Sequence, residues 1–337
     1  MEYRYLGRTG VRVSSLTLGC GNFGDMTSEE TAQRLMQVAI DNGINLFDTG
    51  DSYAGGESER IIGRFLKGTG QRDRVLVATK VYFPTGDGPN DQGLSRYHIL
   101  RSCEASLRRL QTDRLDLYLC HRSQSLIIPI EETLGAMDDL VRQGKVCYIG
   151  CSTYPAWQVM EALWLSARHG YARFVVESPP YNLLDRRAEI ERIPLCQKYG
   201  LGVLPWSPLA MGMLAGRYPA DGSFPDGSRA AKNPTGIYAQ RVKRRGAQIG
   251  ARLAELGPKY GLTAGQLALL WVKDQPGVTS PIVGPRTLEQ LQEMLQVADM
   301  HADEALRADC DALNPAGTAV ADFHNTSGWL MTRIEGE

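Results

Sequence analysis

Eight short runs of β-branched and apolar residues recur along most of the chain and alternate with segments of helical periodicity. The runs are Ser14–Gly19, Ile44–Asp48, Val75–Lys80, Leu115–His121, Val146–Ser152, Phe174–Ser178, Leu201–Trp206 and Ser280–Gly284. They are almost continuously apolar, which is typical of parallel strands that are buried on both faces. Eight such strands alternating with helices predict an α/β fold, a (β/α)8 TIM barrel.

The helical segments lie between and after these runs. They are Glu29–Asp41, Ser58–Leu66, His98–Leu110, Glu131–Gln143, Ala156–His169, Ala188–Lys198, Ala239–Leu256, Ala264–Asp274 and Thr287–Leu295. A doubly wound sheet is the competing architecture, and it needs a phosphate-binding turn with GxGxxG spacing after the first strand. The segment Gly19–Gly24 has a different glycine spacing. We therefore expect one barrel domain spanning residues 1–337, a size that a TIM barrel can occupy.

Three segments fall outside the regular alternation. Residues 1–13 predict an N-terminal β-hairpin that plugs the floor of the barrel, because two strand-like segments flank Gly7–Gly10. The Gly- and Pro-rich stretch Gly216–Gly236 predicts a long loop over the C-terminal face, and loops of this length are usually functional. Residues 296–337 form a C-terminal tail, partly helical at Asp303–Leu313 and then polar.

Composition excludes several classes of protein. The 37 basic and 38 acidic residues give a net charge of −1 without a basic stripe, so no nucleic-acid partner is expected. No apolar run approaches the ~20 residues that span a bilayer, and the N-terminus lacks a signal-peptide core. We expect a cytoplasmic protein without a membrane partner. The seven cysteines lack CxxC spacing and are interpreted as reduced core thiols, with no metal site.

Three consecutive strand-like runs end in a residue that can ionise. Asp48, Lys80 and His121 close the second, third and fourth runs, and Tyr53 follows five positions after Asp48. The C-terminal ends of barrel strands converge on one face, so we expect these four side chains to meet there. They are the candidate catalytic residues.

The four residue types form a coherent set for proton transfer. A tyrosine hydroxyl has an ordinary pKa of about 10, and a neighbouring lysine ammonium lowers it. Asp48 supplies the charge that compensates a buried Lys80, and His121 can orient a substrate oxygen. This combination suits protonation of a carbonyl oxygen. Because no side chain delivers hydride, a nicotinamide or a flavin is required.

Several motifs resemble those of the aldo-keto reductase superfamily, in order and with similar spacing from about Tyr3 to Leu295. They are Phe47–Tyr53, Gly55–Glu59, Ala78–Lys80, Asp113–His121, Gly144–Gly150, Trp206–Leu209 and Ile282–Thr287. The segment Pro179–Leu184 is most similar to the branch of bacterial oxidoreductases and potassium-channel β-subunits.

The resemblance implies a role for each matching residue. Tyr53 would be the general acid, Lys80 and Asp48 its tuning pair, and His121 the group that orients the carbonyl. The implied cofactor is NADP(H), and the following list runs from its nicotinamide to its adenosine end. The implied cofactor-binding residues are Gly19, Cys20, Gly21, Asp48, Ser152, Thr153, Ser178, Trp206, Ser207, Pro208, Leu209, Gly212, Leu214, Gly284, Arg286, Gln290 and Glu293.

Arg286 carries the expected preference for NADP(H) over NAD(H). It lies between the last strand-like run and the helical segment Thr287–Leu295. A 2′-phosphate placed there would meet both a guanidinium and the amides of a helix N-terminus.

The sequence leaves three functional readings open. The first is an NADPH-dependent reductase of aldehydes and ketones. The second is the same chemistry running chiefly as alcohol or sugar oxidation, because the four catalytic residues do not fix the direction. The third is a cofactor-bound regulatory protein similar to a channel β-subunit. The partner is a small carbonyl or alcohol substrate in the first two, and the sequence does not determine the oligomeric state.

Overall fold

The computed structural model describes residues 1–123, 128–242 and 244–320. Its strands are β1 (Tyr3–Tyr5), β2 (Arg12–Ser14), β3 (Thr17–Gly19), β4 (Leu46–Asp48), β5 (Leu76–Val81), β6 (Leu115–Cys120), β7 (Val146–Ser152), β8 (Phe174–Ser178), β9 (Gly202–Val203) and β10 (Ile282–Val283). Its helices are α1 (Glu29–Asp41), α2 (Glu57–Thr69), α3 (Arg96–Leu110), α4 (Ile130–Arg142), α5 (Ala156–His169), α6 (Arg192–Tyr199), α7 (Arg229–Lys232), α8 (Ile237–Arg241), α9 (Arg244–Tyr260), α10 (Ala264–Lys273), α11 (Leu288–Leu295) and α12 (Glu304–Asp311).

Strands β3 to β10 form one parallel sheet that closes on itself. The order is β10-β3-β4-β5-β6-β7-β8-β9, so each strand pairs with its neighbour in sequence and β10 returns to β3. The backbone amides of Thr279 and Ile282 donate to the carbonyls of Val203 and Pro205, which joins β10 to β9. The predicted (β/α)8 barrel is therefore confirmed.

The N-terminal hairpin fills one end of the barrel interior. β1 and β2 pair antiparallel, with Tyr3 opposite Ser14. Leu6 and Val13 are completely buried among interior residues of the strands, including Leu117 and Val176. The predicted hairpin is confirmed with one difference in its bounds. Ser14 belongs to β2, so the first barrel strand begins at Thr17.

Apolar side chains form two layers, one inside the barrel and a larger one between the strands and the helices. Helix α1 illustrates how the outer layer is built. The Ser28 side chain accepts a hydrogen bond from the Thr31 amide and caps the start of the helix. Leu35, Met36 and Ala39 follow at helical spacing and are buried. Six of the seven cysteines lie in buried positions, Cys147 is exposed, and none is paired.

Two predicted helices differ most from the structure, whereas the bounds of most others shift by one to three residues. The predicted helix Ala188–Lys198 begins at Arg192, after a 3-10 turn, because Pro194 lacks an amide hydrogen and is accommodated only in the first turn. The predicted helix Ala239–Leu256 is divided between α8 and α9.

The tail prediction can be followed only to residue 320. Its helix is present as α12, and residues 321–337 lie outside the part of the chain that the structure describes. Within the described ranges, no helix has the length and apolar character needed to span a membrane.

Candidate active site

The structure brings the four predicted catalytic side chains together at the C-terminal ends of adjacent strands. Asp48 ends β4, Lys80 lies near the end of β5, and His121 directly follows β6. Tyr53 begins the short turn that joins β4 to α2. The parallel register of β4, β5 and β6 places these ends side by side, as the strand-end argument predicted.

Asp48 and Lys80 form a buried ion pair at the base of the site. Lys80 Nζ donates to Asp48 Oδ1 at 2.6 Å and to the Thr49 carbonyl at 2.6 Å. The Lys80 side chain is only 3% exposed and the Asp48 side chain 6%. Burial alone would lower the pKa of Lys80, but the Asp48 charge and the Tyr53 hydroxyl hold that pKa above its ordinary value. The lysine therefore remains a cation at neutral pH.

Tyr53 and His121 lie above this pair. The Tyr53 hydroxyl is 3.3 Å from His121 Nε2, and the two rings meet edge to face. Lys80 Nζ is 5.2 Å from the centre of the Tyr53 ring. Burial, and then the positive charges of Arg122 and Lys80, lower the pKa of His121 well below its ordinary value. The imidazole is therefore neutral and can donate a hydrogen bond without carrying charge.

Glycines lie beside the Tyr53 ring and at the end of the adjoining strand, and only the strand glycine, Gly19, leaves no room for a side chain. A Cβ atom at Gly21 or Gly50 would lie 3.4 Å from the Tyr53 ring. At Gly19, a Cβ would lie 2.8 Å from Ile282 and 3.1 Å from the Val283 carbonyl. A side chain at Gly19 would therefore disturb the contact between β3 and β10, which closes the barrel.

A second, deeper layer of polar residues supports the turn that carries Tyr53. Asp51 is buried, and one of its carboxyl oxygens accepts from Ser102 Oγ at 2.7 Å. Its other oxygen has no hydrogen-bond partner among the residues that the structure describes. Burial, reinforced by the nearby Glu59 charge, raises the pKa of Asp51 to about 7, although the bond from Ser102 opposes the shift. Glu59 itself accepts from Thr79 and pairs with Arg109.

A cavity of about 820 Å³ extends from the four candidate catalytic residues to the last strand and α11. Most of the predicted cofactor-binding residues line it. These are Gly19, Gly21, Asp48, Ser152, Ser178, Trp206, Ser207, Pro208, Leu209, Gly212, Gly284, Arg286 and Gln290. Residues far apart in the sequence therefore share one cavity large enough for a dinucleotide.

Four predicted cofactor-binding residues do not line this cavity. Cys20 and Leu214 are completely buried in the outer apolar layer. Thr153 lies behind Trp206 and accepts its indole N–H at 3.2 Å. Glu293 accepts from Thr263 Oγ1 at 2.6 Å. Direct contact of these four residues with a cofactor stays a prediction.

The polar groups near the catalytic end fit a nicotinamide carboxamide. Ser152 Oγ donates to the Ser178 carbonyl, and Ser178 Oγ donates to the Leu204 carbonyl. Each hydroxyl proton is thus used, which leaves oxygen lone pairs as acceptors for an amide NH₂. The indole of Trp206 offers a flat surface in the same cavity. The donor and acceptor pattern therefore matches the group that the sequence predicts.

The loop after β9 has an unusual backbone. Ser207, Ala210 and Met211 have φ angles of +56°, +49° and +60°, and Gly212 has a φ of +96°. Residues other than glycine rarely adopt positive φ angles, and such backbone strain is concentrated at functional sites. Ser207, Leu209, Met211 and Gly212 of this loop line the cavity, so its strained backbone forms part of the candidate site.

Arg286 lies at the opposite end of the cavity and is partly exposed. Its side chain donates to the Gly227 carbonyl at 2.8 Å, which connects it to the predicted long loop. Its backbone amide donates to Gln290 Oε1, while the Thr287 side chain caps α11. A guanidinium, a helix N-terminus and a loop therefore meet at this end.

The sequence reasoning missed several residues that line the cavity. They include Asn22, Phe83, Arg122, Arg217, Tyr218, Asp226 and Arg241. Arg122 follows His121 directly, and Phe83 comes three residues after Lys80, so the strand-end argument could have found both. Arg217, Tyr218 and Asp226 belong to the long loop, whose path no local pattern indicates.

Comparison with known proteins gives consistent matches over most of the chain. A family model described as the aldo/keto reductase family matches residues 15–315. An uncharacterized oxidoreductase of Bacillus subtilis (strain 168), YrpG, is 41% identical over 315 residues, which cover 91% of this chain and 94% of that protein. Probable voltage-gated potassium channel β-subunits of Oryza sativa subsp. japonica and Arabidopsis thaliana are 37% and 36% identical over 304 residues, covering 89% of this chain and 92% of each.

Proposed function

Because the chain belongs to the aldo/keto reductase family, we propose that it is an NADPH-dependent oxidoreductase that reduces aldehydes and ketones to alcohols. The observation that carries this proposal is the contact between Tyr53 and His121 above the buried Asp48–Lys80 pair. A carbonyl oxygen placed between the Tyr53 hydroxyl and His121 Nε2 would meet two neutral donors and a nearby ammonium. Both the position and the charge suit an oxygen that becomes negative during the reaction.

The side chains of the protein supply the proton and stabilise the phenolate that its transfer leaves behind. Tyr53 gives its hydroxyl proton to the carbonyl oxygen, and the Lys80 ammonium stabilises the phenolate that remains. Asp48 keeps Lys80 charged and fixed, because a buried ammonium without a partner is costly. Neutral His121 orients the oxygen by donating one hydrogen bond. When bound, reduced nicotinamide supplies the hydride to the carbonyl carbon.

The cavity residues fit NADP(H) as the cofactor. Trp206 would stack against the nicotinamide, and Ser152 and Ser178 would accept from its carboxamide. The strained loop Ser207–Gly212 would follow the pyrophosphate, and Arg286 would meet the 2′-phosphate. The same groups can run the reaction in reverse, with the Tyr53 phenolate accepting the proton of an alcohol.

The direct test is an assay of the purified protein with a panel of aldehydes and ketones and NADPH. Consumption of the cofactor is followed by its absorbance, and alcohol formation is confirmed by chromatography. We expect turnover with several members of the panel, faster with NADPH than with NADH. Cofactor binding measured by fluorescence without any turnover on the panel would argue against the reductase.

A regulatory subunit is the second candidate, because relatives with 36–37% identity are named as probable potassium channel β-subunits. The two candidates differ in a measurable way. A regulatory protein would retain the cofactor tightly, turn over negligibly and form a stable complex with a partner, whereas the reductase releases oxidised cofactor in each cycle. Single-turnover and steady-state rates with one aldehyde distinguish them.

A further inference from the structure

Positively charged side chains outnumber carboxylates in the lining of the cavity. Five cationic side chains line it, against two carboxylates among the residues that the structure describes. Lys80 is paired with Asp48, and Arg286 lies at the end where we propose that the adenosine binds. The backbone amide of Arg217 donates to the Gly212 carbonyl, so this residue lies beside the strained loop. Arg122 and Arg241 are different, because both lie against the ring of Trp206.

Arg122 is held at the catalytic end by contacts on several sides. Its Nη1 donates to the His121 carbonyl at 2.7 Å and to Thr153 Oγ1 at 3.2 Å. Its guanidinium carbon is 5.4 Å from the centre of the Phe83 ring and 5.7 Å from that of Trp206. A partly buried guanidinium fixed in this way loses little conformational freedom when it binds an anion.

The position of Arg122 relative to the reacting carbonyl follows from the ring contacts. Phe83 packs edge to face against His121, with 4.8 Å between ring centres, and the Arg122 guanidinium lies over the same Phe83 ring at 5.4 Å. The carbonyl oxygen would lie against His121 Nε2 and Tyr53 Oη. Arg122 and His121 thus contact the same Phe83 ring, so a substrate with a short carbon chain could reach both side chains.

We propose that the substrate is an aldehyde or ketone that also carries a carboxylate, and that Arg122 binds this carboxylate. The inference rests on the carbonyl reductase function proposed above and names its substrate class. A guanidinium matches a carboxylate in charge and in planar geometry. The aromatic side chains Phe83 and Trp206 limit access of water, so the interaction is stronger than at an open surface. Arg241, on the same Trp206 ring, adds a second positive charge nearby.

The test compares matched pairs of carbonyl compounds that differ in charge. With NADPH, para-carboxybenzaldehyde is compared with its neutral methyl ester, and the readout is the ratio of their kcat/KM values. A charge-assisted hydrogen bond corresponds to a preference of roughly 10- to 150-fold for the acid, arising mainly in KM. In Arg122→Met this ratio should fall close to one, and Arg122→Lys should restore part of it. Using a ratio cancels any general loss of rate.

Arg241→Met is the matched control, since this arginine lies on the same Trp206 ring. Its acid-to-ester ratio should fall by less than that of Arg122→Met, and an equal or larger fall would overturn the assignment to Arg122. A phosphorylated glyceraldehyde paired with glyceraldehyde tests the other common anion. A stronger preference in that pair, lost in Arg122→Met, would replace the carboxylate by a phosphate.

The outcome also separates this inference from the proposed function. Reduction of both aldehydes with a ratio near one in the parent protein would overturn the carboxylate preference alone. No reduction of either aldehyde would overturn the reductase function, and the inference with it. A thermal unfolding curve for each variant shows whether it is folded.

Discussion

The two ends of the cavity are built differently. At the catalytic end, Asp48, Lys80 and His121 are nearly inaccessible to solvent and occupy strand ends or the residue directly after one. At the other end, where we propose that the adenosine of the cofactor binds (the adenosine end), Arg286 is partly exposed and its side chain donates to the carbonyl of Gly227 in a long loop. The catalytic end is thus formed by barrel strands, whereas the adenosine end depends on a loop that joins two elements of the fold.

This difference sets the size of the effects that substitutions should have. A buried charge at the catalytic end is compensated by one partner, so removing that partner leaves an expensive unpaired group. A partly exposed guanidinium at the adenosine end remains solvated when its ligand is lost. We therefore expect losses of both rate and stability at the catalytic end, and a change in cofactor preference alone at the adenosine end.

The largest effect is expected for Tyr53→Phe. Removing the hydroxyl eliminates the proton donor, and general acid catalysis contributes about 10²–10⁴-fold to a rate. The kcat with a reactive aldehyde should fall by that factor, while the dissociation constant for NADPH stays within a few-fold. Tyr97→Phe, at a residue that is 58% exposed, is the matched control. Retention of most activity in Tyr53→Phe would show that another group donates the proton.

Lys80→Met should reduce both rate and stability. The substitution leaves Asp48 buried without its charge partner, and breaking a buried pair costs about 3–5 kcal/mol. Thermal unfolding should therefore occur at a lower temperature than for Tyr53→Phe. The double variant Asp48→Asn/Lys80→Met removes both charges and should regain much of the lost stability. Equal melting temperatures for Lys80→Met and Tyr53→Phe would contradict a buried, compensated pair.

Asp51→Asn tests the deeper carboxyl under the Tyr53 turn through the pH dependence of stability. The pKa of Asp51 is about 7 in the folded protein, against an ordinary value of 3.8. The folded state therefore holds this proton more tightly, and the free energy of unfolding falls as the pH rises from about 4 to about 7. Asparagine removes that fall and stabilises the protein above pH 7 by up to about 4 kcal/mol.

Denaturant unfolding at several pH values measures this difference. Asp25→Asn makes the same chemical change at an exposed residue and should leave the pH slope as in the parent protein. If Asp51→Asn and the parent protein have parallel stability profiles from pH 4 to pH 8, the pKa of Asp51 is not raised in the folded protein.

The smallest effect is expected for Arg286→Ala. A charge-assisted hydrogen bond to the 2′-phosphate is worth about 1.5–3 kcal/mol, so the preference for NADPH over NADH should drop roughly 10- to 150-fold. The measurement is kcat/KM for both cofactors, and the values with NADH serve as the internal control. An NADPH preference that survives the substitution would assign discrimination to another residue.

The order of the strands and the four candidate catalytic residues followed from local patterns. Strands β7 and β8 and helices α1 and α5 begin and end where the sequence predicted, because their apolar spacing and end signals are unambiguous. The shortest strands, β9 and β10, were predicted too long. Only two residues of each form regular strand, and the neighbouring residues join the sheet through isolated bridges, such as those of Trp206 with Pro180 and Ile282.

The cavity residues beyond the strand ends could not be derived in the same way. Arg122, Arg217 and Arg241 are ordinary charged residues in the sequence, and a single arginine in a loop is usually solvated. They share the cavity because the end of β6, the long loop and α8 all reach it, and α8 brings Arg241 onto the ring of Trp206. Such contacts are non-local and depend on backbone conformations that composition does not encode.

The sequence by itself determined the barrel, because eight apolar runs alternate with helices and no GxGxxG turn, which a doubly wound sheet needs, follows the first of them. It also determined the four catalytic candidates, since a barrel fixes where its strand ends lie. Only the tertiary structure decided which other charges share the cavity. It placed Arg122 against Phe83 and Trp206, and it turned Glu293 toward Thr263. The physical reason is that strand periodicity is a local property, whereas the surroundings of a charged side chain depend on distant segments.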